Sequence, residues 1–129
     1  MASELRVNTL KDAAGANSVA MQYVAGGSAK AWVNFNGTGT IATRDSVNVA
    51  SLTDSSTGQY YANYTNNMAD DDYSFASYNS GDSGSSMTSF SNQYMGGNDL
   101  ETGRIGVSSY NASFVDSDIV TIQVHGDLA

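Results

Sequence analysis

Apolar side chains in this chain recur at every second position, in runs of a few residues, and glycine, asparagine, aspartate or serine ends nearly every run. That pattern constrains the fold more than any other feature. A period of two lays side chains alternately on the two faces of an extended strand, whereas a helix needs apolar residues three and four apart over several turns. No stretch sustains the helical spacing.

Leu5, Val7 and Thr9 alternate with Arg6 and Asn8, and residues 12–17 turn the chain. Val19, Met21 and Tyr23 form the next alternating face, which Gly26 and Gly27 interrupt. Ala29, Ala31, Val33 and Phe35 share one face of a third strand, with Lys30, Trp32 and Asn34 on the other. Asn36-Gly37 tolerates positive φ and is expected to close a tight hairpin onto residues 41–43. Val47, Val49 and Leu52 are assigned to a fourth strand. After the turn ending at Gly58, Tyr60, Ala62 and Tyr64 share a face, and Tyr73, Phe75 and Ser77 resume the alternation. Residues 79–86 and 96–101 read as polar loops around a strand at 87–94. Ile105 and Val107, then Val120, Ile122 and Val124, mark two final strands.

Turns spaced roughly 10–14 residues apart and eight to ten short strands point to an all-β sandwich or barrel. The expected fold is an antiparallel β-sandwich, jelly-roll-like, over residues 26–129. Residues 1–25, set apart by the two glycines, are expected to form an extended β arm for attachment or oligomerisation.

Composition narrows the function. A net charge of -8 disfavours binding to a nucleic-acid backbone, which needs clustered lysine and arginine. With no cysteine there is no disulfide, thiolate nucleophile or zinc–thiolate site. No uncharged apolar run reaches the roughly 20 residues of a membrane helix, and no basic start followed by an apolar core marks a signal peptide, so synthesis in a cytoplasm without membrane insertion is expected.

Catalytic constellations are thin. His125 is the single histidine, and no serine sits in a Gly-x-Ser-x-Gly elbow. Asp99 with Glu101 and Asp116 with Asp118 have the spacing that would point two carboxylates the same way in a strand, yet all lie beside turn residues, where aspartate commonly bonds backbone. Asp70, Asp71 and Asp72 offer oxygens to a hard cation, without the Asp-x-Asp-x-Asp-Gly spacing of a calcium loop. The expectation is a protein with no catalytic residues, metal or cofactor.

Tyrosine, at 8 residues, outnumbers lysine and arginine together at 5, and much of it falls in the middle of the chain beside Ser, Gly and Asn loops. Rigid tyrosine supplies contact area and small polar residues supply adaptable hydrogen bonds, as in recognition surfaces. Tyr78, Asn79, Asp82, Asn92, Tyr94 and Asn98 are the candidate receptor contacts, and Leu5, Val7, Thr9 and Leu10 the candidate docking residues of the arm.

Several blocks carry a resemblance. Val7-Asn-Thr-Leu10 is a short strand before a small-residue turn. Ala29-Lys-Ala-Trp-Val-Asn-Phe-Asn-Gly-Thr-Gly-Thr40 is followed by Arg44-Asp-Ser-Val-Asn-Val-Ala-Ser-Leu-Thr-Asp54. Gly58 to Tyr60, Met68 to Tyr73 and the ending from Asp116 to Asp127 complete the set. In this it resembles tail-fibre and virion structural proteins of bacteriophages, marine and cyanobacterial ones among them. The resemblance implies a homotrimeric β module in a virion appendage, with other virion proteins and a host cell-surface glycan or protein as partners. A capsid- or tail-decorating cement protein without receptor-binding activity is the alternative.

Overall fold

The computed structural model describes residues 3–80, 100–110 and 113–129, and the backbone of 88–91. Two antiparallel sheets packed together form a β-sandwich. Its elements are β1 (Thr9–Lys11), β2 (Ser18–Ala20), α1 (Met21–Gly27), β3 (Ala31–Asn36), β4 (Ala42–Val47), β5 (Val49–Ser56), β6 (Gln59–Tyr64), β7 (Ser74–Ser80), β8 (Thr88–Ser91), β9 (Leu100–Glu101), β10 (Arg104–Tyr110) and β11 (Ile119–His125). One sheet runs β4-β3-β11-β7. The other runs β5-β6-β10-β8, with β9 also paired to β10.

In β3, β6 and β11 the alternation read from sequence is the alternation of burial. Ala31, Val33 and Phe35 of β3 and Val120, Ile122 and Val124 of β11 face Tyr60, Ala62 and Tyr64 of β6 and Ile105 and Val107 of β10. Phe35 meets Tyr60 edge to face, with ring centres 5.3 Å apart and planes at 80°, a geometry worth somewhat more than its buried area alone. Met68 and Tyr73 join the core, Tyr73 edge-on to Tyr64 at 6.2 Å.

The hairpin between β3 and β4 forms as expected, with Asn36 opposite Ala42, but its loop is longer than two residues. Gly39 takes the positive φ of 61°, while Gly37 serves by lacking a side chain beneath the Tyr60 ring.

Val47 and Val49, assigned to one strand from sequence, belong to different sheets. Asn48 between them has φ 56°, the left-handed conformation that asparagine tolerates better than most residues, and it turns the chain from one sheet into the other. Its Oδ1 accepts from Asn66 N at 2.7 Å and its Nδ2 donates to Asn66 O at 3.0 Å. Asn48→Ala therefore meets backbone strain and loses both bonds, and is expected to destabilise by about 2–3 kcal/mol in denaturant titration. Asn48→Gly loses the same bonds but keeps the conformation, and should cost about 1–2 kcal/mol less.

The arm also differs from expectation. Val19 lies in β2, but Met21 and Tyr23 lie in a helix rather than on a strand face. β1 gives β2 only three residues of pairing, and Met21 N to Asn8 O is the next cross-link. Beyond it there is no strand to pair with, and the backbone satisfies itself by winding into α1. The β1–β2 turn is held by the Asp12 carboxylate, which accepts from Ala16 N and from the amide nitrogens of Asn17. The Asn17 side-chain bond in particular holds this carboxyl below its ordinary pKa. No residue of α1 is buried, and among the described residues the core contains none before Ala31.

Candidate functional site

Period two gives the β4-β3-β11-β7 sheet an outer face as well as a core face, and the register orders it. One row across the sheet reads Val47, Trp32, Gln123 and Ala76; the next reads Asp45, Asn34, Thr121 and Tyr78. Tyr78 is 60% exposed and Trp32 is half-buried. Trp32 is not in the core, because Ala31, Val33 and Phe35 take the inward positions of the strand.

Trp32 and Tyr78 stand two strands apart, about 10 Å in the pairing direction. Between them lie the amide and hydroxyl groups of Asn34, Thr121 and Gln123. Arg44, at the irregularity in β4, donates to Phe35 O at 2.9 Å and to Asn34 Oδ1 at 3.3 Å, which fixes the Asn34 side chain from one end. The result is a face of two aromatic rings and several neutral hydrogen-bonding groups on an otherwise acidic chain.

Of the candidate receptor contacts, Tyr78 is on this face. Asn79 is not a surface residue. It is 2% exposed, stands opposite Val120 on the core side of β7, and its Nδ2 donates across the sandwich to Ser108 O at 3.2 Å. Asp82, Asn92, Tyr94 and Asn98 lie outside the described residues. Sequence reasoning missed Gln123 and Thr121, although the outward positions of β11 were implied by its inward Val120, Ile122 and Val124.

The docking candidates gather in the arm. Leu5 and Leu10 are exposed at 79% and 41%, Thr9 is exposed and Val7 is half-buried. Leu10 and Val19 line a shallow depression with Lys11, Asp12, Asn17 and Ser18. Tyr23 of α1 adds a further exposed ring.

Asp116 and Asp118 precede β11 and are not in a strand. Asp116 Oδ1 accepts from Gly58 N at 2.7 Å and lies 3.3 Å from the Tyr60 hydroxyl, so its work is to close the sandwich. Glu101 pairs with Arg104 at 2.6 Å, which raises the arginine pKa further, and Arg104 stacks over Tyr61 at 4.3 Å. Asp99 lies outside the described residues. Asp70 to Asp72 are exposed, and Asp70 Oδ1 accepts from Asp72 N, the local bond of an aspartate turn. Among the described residues no three acidic or histidine side chains converge as metal ligands. His125 sits at the end of β11, opposite Ser74. No helix among the described residues is long and apolar enough to cross a membrane.

No protein-family model, curated protein or solved structure matches the chain.

Proposed function

We propose that this chain is a bacteriophage virion structural protein, a tail-fibre or appendage module that docks through residues 3–28 and presents the outer β3–β11–β7 face to a host receptor. The observation that carries this reading is the division of labour along the chain: among the described residues every core residue lies at or after Ala31, while Leu5, Leu10, Val19 and Tyr23 remain exposed on the arm. A two-stranded hairpin with a two-turn helix has too little to bury on its own, and apolar side chains held apart from the core are suited to covering by another virion protein. The face bearing Trp32, Tyr78, Asn34, Thr121 and Gln123 has the rigid rings and adaptable polar groups of a recognition surface. Its partner is a host cell-surface glycan or protein, and shared burial in a homotrimer would multiply a weak single contact.

The test uses purified protein with host cells and with particles lacking it. Adsorption to cells that blocks infection, lost in Tyr78→Ala without a change in unfolding midpoint beyond about 0.5 kcal/mol, is the expected result. Stripping surface glycan or surface protein from the cells distinguishes the two receptor classes. Protein that binds particles and never cells would instead identify a decorating protein of capsid or tail.

A further inference from the structure

Asn36 and Gly37 form a pair in which the side-chain amide is open to attack by the next backbone nitrogen, because glycine puts no side chain in the way. In the folded chain each group that this reaction needs is held elsewhere. The Asn36 amide is turned onto Thr38: Oδ1 accepts from Thr38 N at 3.1 Å and from Thr38 Oγ1 at 2.8 Å, and Nδ2 donates to Thr38 O at 3.2 Å. Gly37 N donates to Ser117 O at 2.8 Å, and Gly37 O lies 3.2 Å from the Tyr60 hydroxyl. The Tyr60 ring packs so closely on Gly37 that an added Cβ would lie 2.5 Å from it. Tyr60 and Ser117 are both fully buried, so the clamp opens only when this end of the sandwich opens.

We infer that Asn36 is a fold-gated deamidation site: it reacts only from conformations in which Gly37 has left Ser117 and Tyr60, and its product does not return to the native packing. In the open chain Gly37 N gives its proton to a solvent base and bonds to Asn36 Cγ. The Cγ–Nδ2 bond breaks, and Nδ2 takes up a proton and leaves as ammonia. Water then adds to one of the two carbonyls of the succinimide ring and opens it to aspartate or isoaspartate. One water is consumed for each ammonia released, and nothing is oxidised or reduced.

Both products conflict with the native contacts. Isoaspartate routes the main chain through the former side chain and lengthens it by one methylene, which moves Gly37 where the Tyr60 ring leaves no room. Aspartate loses the donor to Thr38 O and sets a carboxylate against that carbonyl. Deamidation at Asn36 thus records an opening and then hinders reclosure.

The full chain is incubated at mildly alkaline pH, native and in denaturant, and the tryptic peptide of residues 31–44 is followed by mass spectrometry. Asn34, followed by Phe35 in the same peptide, is the internal reference. Asn36 should convert in the denatured chain ahead of Asn34, and more than about tenfold more slowly in the folded chain, because the folded rate follows the population of open forms. Tyr60→Phe keeps the ring and removes the hydroxyl from Gly37 O, and should speed conversion in the folded chain several-fold. Equal rates folded and denatured would overturn the gating, and an unreactive Asn36 in denaturant would overturn the site. Purified isoaspartate chain that refolds to the original midpoint would overturn the claim that the product is excluded.

Discussion

Gly58→Ala is expected to be strongly damaging, lowering stability by about 2–5 kcal/mol. Gly58 closes the β5–β6 hairpin with φ 64°, a conformation that costs an alanine roughly 1–2 kcal/mol. A Cβ there would also lie 2.5 Å from Val115 O, 2.7 Å from Ser109 O and 2.8 Å from Val115 N. All three are backbone atoms, so relief requires moving the chain, and overpacking of this kind costs typically about 1–3 kcal/mol. The same movement strains the bonds from Gly58 N to Asp116 and from Ser109 N to Gly58 O. Gly39→Ala is the matched comparison. Its φ is 61°, but nothing lies within 4 Å of the new methyl, so only the backbone strain should appear. Denaturant midpoints of the two variants separate the terms, and equal losses would show that the close approach at Gly58 costs nothing.

High pH should unfold the sandwich in one cooperative step. Tyr60, Tyr64 and Tyr73 are buried, and burial raises the pKa of each phenol above its ordinary value of about 10. Below pH 10 the folded and unfolded chains both hold these phenols neutral, and stability is unaffected. Above it the unfolded chain releases three protons that the folded chain retains. The unfolded state then binds fewer protons, and stability falls as pH rises. The slope reaches at most about 1.4 kcal/mol per pH unit for each tyrosine, or roughly 4 for three together, large beside a total of 5–15 kcal/mol. Phenolate absorbance from the buried set should therefore appear together with the loss of circular dichroism. Complete tyrosine ionisation while the sheet signal persists would show that these phenols reach water in the native state.

The sequence made β3, β6 and β11 legible because each has strand neighbours on both sides and buries one face, so that its alternation is a record of burial; β10 is buried on both faces from Ile105 to Ser109, and only its apolar residues marked it. The same rule, carried one step further, reaches Asn79. Phase places it with Phe75 and Ser77 on the inner face of β7, and its polar character suggested a surface role that the phase denies. Other features depend on information that no single run of residues holds. The corner at Asn48 reflects which sheet accepts the chain next, and α1 forms where strand pairing runs out. The candidate face was half visible: Tyr78 stood out as an aromatic next to a polar loop. Trp32, Thr121 and Gln123 join it only through the register of β3, β11 and β7, which pairs residues about 90 positions apart between β3 and β11 and about 45 apart between β11 and β7.

Residues 29–129, prepared without the arm, put the division of the chain to its most direct trial. Because no described residue before Ala31 contributes to the core, the shortened protein should unfold cooperatively within about 0.5 kcal/mol of the full chain, and it should fail to join particles. A shortened chain that cannot fold, or one that folds and still assembles, would contradict an independent sandwich carried by a docking arm.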